Sequence, residues 1–145
     1  MYILLPPSEG KNDALGSGIF SEDSNTLLSD MLPVIRHGKR LKAAERAKFY
    51  GVNSDEKGKA AHALNQATPD APVLPALERY SGVVYDHIGL DTIAPVARER
   101  LLIVSGLFGL IHGTDGIPCY KQPINPWLTR YWKPINSERL QALAQ

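Results

Sequence analysis

The stretch "LLIVSG", Leu101–Gly106, decides how this chain is read. Leu101, Leu102, Ile103 and Val104 follow one another without a polar break, and Ser105–Gly106 closes the run. A short continuous apolar run ended by a turn residue marks a strand covered on both faces, which belongs in the middle of a sheet. A second such run, Tyr2–Leu5, is stopped by Pro6 and Pro7 and also reads as a buried strand. Each run empties into a polar or glycine-bearing loop, "SEGK" at 8–11 and "SGLFG" at 105–109. Two strands of this kind are expected in one sheet, with their loops at the same end.

Around these strands the pattern is mostly helical. Residues 10–26 have no period and predict a loop. Leu27, Leu28, Met31, Leu32 and Ile35 fall at helical spacing, with Pro33 expected to kink or split the helix. Residues 39–50 are rich in helix formers. Ser54 is placed to cap the next helix, with Asp55 and Glu56 in its first turn and an apolar face of Ala60, Ala61, Ala63, Leu64 and Ala67. The three prolines of 68–75 predict a connector, and 76–89 reads as either strand or helix. Asp91 is expected to cap a helix running to Arg100. Residues 106–116 predict a turn-rich loop, and 117–124 an extended segment. Trp127, Tyr131 and Trp132 fit one face of a helix, a stripe expected in core or interface. Ser137 is the expected cap of a terminal helix. With two or three strands in sight, the fold class is α/β (α+β), one compact domain with a small mixed sheet flanked by helices.

Composition sets outer bounds. The chain has 145 residues, the size of one ordinary domain, with 43% apolar and 21% charged residues. A net charge of +1 gives no bulk attraction to nucleic acid or membrane. One cysteine, Cys119, excludes an internal disulfide. No signal-like segment or membrane-length apolar run is seen, so a cytoplasmic protein without a membrane partner is expected.

The two loops carry the candidate chemistry. Gly10–Lys11 after a strand suggests a phosphate loop. That motif also needs a glycine where Leu5 stands and a Ser or Thr where Asn12 stands, so Walker chemistry is excluded. What remains is a polar loop at a strand's carboxyl end, where α/β sheets line their ligand crevices. Ser8 and Lys11 are candidates to hold an anion, and Glu9 to accept hydrogen bonds; the alternative is a solvated turn. Ser105 is not a nucleophile elbow, because Ile103 replaces the leading glycine. Gly106 and Gly109 suit close backbone approach or positive φ, but their spacing misses that of a helix-hairpin-helix. His112, Asp115 and Cys119 are the residual metal candidates, and without metal-type spacing no metal or cofactor is expected. His37 and His62 read as surface residues. Finally, Arg36, Lys39, Arg40, Lys42, Arg46 and Lys48 face one acid, Glu45, within 36–48, while the rest of the chain holds ten bases and fourteen acids. Such a stretch can contact phosphates without reading sequence, the alternative being a solvated helix face.

Three motifs in order, "LLPPSEGK", "RYSGVVYD" and "VSGLFGL…DGIPCY", resemble the YaaA family of peroxide stress proteins, over essentially the whole chain from Ile3 onward. The likeness implies a compact α/β fold with a basic cleft, of which this chain would be the incomplete N-terminal part. It implies a role in the peroxide response that keeps intracellular iron low, with DNA as a partner; no settled reaction comes with it. A small anionic ligand or nucleotide handled by an enzyme is the alternative. Carried across, the cleft residues are Ser8, Glu9, Lys11, Tyr85, Ser105, Gly106, Gly109, Asp115 and Tyr120. The family's Arg-Pro is replaced by His112–Gly113, and its Pro-Tyr-Arg by Cys119, Tyr120 and Lys121. Neither His112 nor Lys121 offers a guanidinium fork, so anion or DNA binding by this loop is expected to be weaker. A chain shortened relative to its family is also expected to be less stable, or to self-associate.

Overall fold

The structure, a computed structural model, describes residues 1–20 and 25–145. Residues 21–24 of the expected 10–26 loop lie outside the described residues. In order, the elements are β1 (Ile3–Leu5), β2 (Ser17–Ile19), α1 (Asn25–Arg40), α2 (Ala43–Phe49), α3 (Asp55–Gln66), β3 (Pro72–Pro75), α4 (Ala76–Arg79), α5 (Val83–His87), α6 (Pro95–Arg98), β4 (Leu101–Ser105), β5 (Gly109–His112), β6 (Gly116–Ile117) and α7 (Pro126–Leu143). Among the described residues this is a mixed α/β fold of seven helices and two three-stranded sheets.

The first sheet has the order β1-β4-β5, so the Leu101–Ser105 run is central as its sequence requires. β1 lies parallel to β4, with Ile3 beside Leu101 and Leu5 beside Ile103. β5 returns antiparallel, Ser105 pairing with Gly109 and Leu102 with His112. The second sheet, β2-β3-β6, is antiparallel throughout. Phe20, Met31, Val34, Phe49, Ile103, Phe108, Ile111, Leu128 and Trp132 form one buried cluster against the first sheet. No helix among the described residues is long and apolar enough to cross a membrane.

Several expectations are corrected. β1 is a strand but not a buried one: Ile3 is 49% and Leu4 57% exposed, because β1 is an edge strand with β4 on one side. The 10–26 loop contains β2, which Gly16 and Gly18 admit by taking positive φ beside β3. The 68–75 connector holds β3, whose prolines sit at its two ends, where few ladder N–H groups are needed. β5 replaces the expected loop at 109–112, because a strand buried on both faces shows no alternation. α1 runs through Pro33 without splitting. The 39–50 helix breaks at Leu41–Lys42 into the end of α1 and α2. Ser54 caps α3 as expected, accepting from Lys57 N–H. The buried face of α3 is Gly58, Ala61 and Asn65, with Leu64 exposed. The ambiguous 76–89 segment is two short helices. Pro95 forces Ala94 to ψ 142°, so the helix expected from Asp91 is only the short α6. Asn125, not Ser137, caps the last helix, its side chain accepting from Leu128 N–H.

Candidate functional site

Because β1 and β4 are parallel, both chains leave the sheet at the same end. After β1 the chain turns back across α4. Lys11 forms a β-bridge with Tyr80, Asn12 N–H donates to Arg79 O at 2.7 Å, and Ser81 N–H donates to Gly10 O at 3.0 Å. After β6 the extended segment brings Tyr120 and Lys121 to the same place. Between them lies a cavity of about 220 Å³, lined by Pro7, Ser8, Glu9, Lys11 and residues 120–124.

Lys11 stands in this cavity with its Nζ 4.2 Å from the centroid of the Tyr120 ring. It donates to the carbonyls of Ser8 (3.1 Å) and Glu9 (3.2 Å). An ammonium has three N–H donors, so one is left without a protein acceptor among the described residues. Burial, and then the neighbouring Lys121 charge, lower its pKa to about 8, against a weaker pull from Cys119 and Glu9. Lys121 Nζ is 3.7 Å from Glu9 Oε2, while Lys11 meets Glu9 through its main-chain carbonyl.

The floor is a chain of hydroxyls. Ser105 Oγ donates to Tyr120 Oη at 2.9 Å and accepts the N–H groups of Leu107 (3.2 Å) and Phe108 (3.1 Å). Tyr120 and Tyr80 share a hydrogen bond of 2.5 Å. Burial pushes the Tyr120 phenol up to about 12 and that of Tyr80 well above its usual value, so both are neutral at physiological pH. Tyr85 packs its ring 5.3 Å from Tyr80 and donates to Pro6 O at 2.6 Å, which ties α5 to the start of the loop.

Of the sequence-derived residues, Ser8, Glu9, Lys11, Tyr120 and Lys121 meet in the cavity, and Tyr85 and Ser105 buttress it. Gly106 works by close approach, since a Cβ there would lie 2.1 Å from Gln122 O. Gly109 and Asp115 lie elsewhere. Gly109 turns the β4–β5 hairpin at φ 70° under Trp132. Asp115 accepts the His112 N–H at the far end of β5 (2.8 Å), and its burial raises its pKa against that bond. The metal candidates do not converge either. His112 Nδ1 donates to Glu99 O, Cys119 lies beside Arg79 and Asn12, and no ligand-type cluster gathers among the described residues.

The basic stretch spans two helices. Arg36, Lys39 and Arg40 lie on α1, Lys42 caps α2, and Arg46 and Lys48 lie on α2. Arg46 is structural, bound to Asp55 at 2.7 Å and to Leu41 O at 2.8 Å; the other five are exposed. His37 and His62 are half-buried, not surface residues. His37 stacks on Trp127 at 3.9 Å, and His62 Nδ1 is 2.8 Å from Tyr50 Oη. In the aromatic stripe Trp132 is buried, as expected of a core position.

Five residues that hold the site in place were missed: Arg79, Asn65, Gln122, Asn125 and Tyr80. Arg79 is only 2% exposed, and it gathers the carbonyls of Asn12, Ala14, Ile117 and Pro72. Asn65 grips the Lys121 backbone from both sides, at 2.9 and 2.8 Å. Gln122 and Asn125 both donate to Phe49 O, fastening the 121–125 segment to α2. Arg79 and Tyr80 had a sequence signal, their place at the start of "RYSGVVYD".

A family profile described as peroxide stress protein YaaA matches residues 1–143. A UPF0246 protein of Corynebacterium glutamicum is 37% identical over 132 residues, covering 83% of this chain and 50% of its own length. A UPF0246 protein of Streptomyces coelicolor is 33% identical over 135 residues with the same coverage. An uncharacterized Campylobacter jejuni protein is 29% identical over 133 residues, covering 83% of this chain and 52% of its own length. The chain thus spans about half the length of the curated relatives it matches. The profile match over nearly every residue places the chain in the YaaA family of peroxide stress proteins.

Proposed function

We propose that this chain carries the ligand cleft of a cytoplasmic peroxide-stress protein, which acts by holding the phosphates of DNA without reading its sequence. Its role would be to limit the damage that peroxide and intracellular iron do together. The observation that supports this is the meeting of Lys11 and Lys121 at one cavity, where Glu9 pairs with Lys121. The 121–125 segment is fastened to the end of α2 at Phe49, and the exposed cations of α1 and α2 offer further phosphate contacts outside the cleft. The test is a salt titration of binding to one duplex. Wild type is compared with Lys11→Gln/Lys121→Gln and with Lys39→Gln/Arg40→Gln/Lys42→Gln. Each lost phosphate contact should flatten the log–log slope by about 0.9. A slope unchanged in both variants would remove the reading.

A second reading, an enzyme acting on a small anionic metabolite or nucleotide, is favoured by the cavity itself. About 220 Å³ lined in part by Pro7, Pro123 and Ile124 has room for a phosphate-sized group, not for a duplex.

A further inference from the structure

We propose that the cavity takes the phosphate of a monoester dianion of the nucleoside monophosphate class, whose nucleoside extends out of it. Lys11 and Lys121 would meet the phosphate, and Pro7, Pro123 and Ile124 the part of the nucleoside next to it. This rests on the cleft being a phosphate site and names which phosphate it is built for.

Three features converge. Lys11 has one N–H unclaimed among the described residues, in a cavity with a second ammonium beside it. Two cations around one pocket suit a doubly charged group better than the single charge of a phosphodiester. One wall is proline and isoleucine, which gives nothing to free phosphate but can contact the nucleoside as it leaves the cavity. Glu9 opposes the ligand: its carboxylate is on Lys121 at 3.7 Å, and it is 67% exposed. It must turn toward solvent when the dianion enters, and its exposure permits that.

The arrangement couples binding to a proton. With the free-state pKa of Lys11 near 8, the group is about half neutral at pH 8. A dianion beside it restores the ammonium, so binding takes up about half a proton at pH 8 and close to none at pH 7. Affinity should fall above pH 8 as Lys11 deprotonates, and below about pH 6 as the phosphate loses its second charge.

Titration calorimetry of the chain with adenosine 5′-monophosphate, inorganic phosphate and a short DNA duplex tests this. Each titration is run at pH 7 and 8 in two buffers of different ionisation enthalpy. The expected result is monophosphate binding with the stated proton uptake at pH 8. Binding should weaken about ten- to hundredfold in Lys11→Met, the loss of a charge-assisted hydrogen bond, and tighten in Glu9→Gln. Proton uptake is read on the wild type, so the test survives a variant that fails to fold. Inorganic phosphate binding as tightly as the nucleotide would overturn the monoester assignment. DNA binding through Lys11 and Lys121 with no monophosphate binding would overturn this inference and leave the cleft reading standing. Binding of every probe unaffected by the two lysines, or no binding at all, would remove both.

Discussion

Lys11 enters the protein against its own solvation. Its pKa is lowered from 10.5 to about 8, chiefly by burial and then by Lys121. Between those values the unfolded chain carries a proton that the folded chain does not. Stability therefore rises with pH from about 8 to 10.5, and below pH 8 the folded state bears the full penalty. Lys11→Met should raise stability at pH 7 by about 1–3 kcal/mol, after allowance for the two carbonyls it leaves unpaired. The gain should vanish above pH 10.5. Urea unfolding of both proteins at pH 7 and pH 10.5 checks this, and a Met variant less stable at pH 7 would contradict it. A residue that lowers stability at the mouth of a cavity is the pattern of a group kept for binding.

At the level of elements, the β4–β5 hairpin shows why one glycine is irreplaceable and another is not. Gly109 sits at φ 70° and a Cβ there would come within 2.6 Å of Trp132, whereas Gly18 sits at φ 79° with its nearest neighbour 3.8 Å away. Gly18→Ala should cost about 1–2 kcal/mol, the strain of the left-handed backbone alone. Gly109→Ala adds overpacking of another 1–3 kcal/mol, roughly. Chemical denaturation of the two variants measures the difference; equal losses would mean that Trp132 moves aside freely. The same hairpin marks how far the sequence could be read. β4 was legible because its apolar run is unbroken, and the Ser54 cap because caps are local. β5 and β3 were not, since one is buried on both faces and the other is framed by prolines; their pairing partners, not their own residues, make them strands. In the site, Lys11, Glu9 and Ser8 were legible as a loop at a strand end. Arg79 and Asn65 were not, because their partners are carbonyls distant in sequence that only the fold assembles.

For the molecule as a whole, the weak border is β1. Ile3 and Leu4 are 49% and 57% exposed on a strand whose outer edge has no partner among the described residues, with Tyr2 before it 39% exposed, the kind of surface that recruits other strands. The chain should therefore self-associate as its concentration rises, and Ile3→Lys/Leu4→Lys should reduce that while leaving the β4–β5 hairpin intact. Sedimentation velocity over a concentration series is the measurement; a wild type that stays monomeric throughout would refute it. Burying even 400 Å² of apolar surface is worth on the order of 10 kcal/mol before ordering costs, so the partner need not be large. The parallel register Ile3–Leu101 has one more consequence, in time. On a ribosome adding about 5–20 residues each second, β1 waits roughly 5–20 s for the strand it pairs with. In that interval Ile3 and Leu4 have no native partner, and the cavity above them cannot form. β1 is thus made well before it can dock, and chaperone capture during synthesis should centre on it.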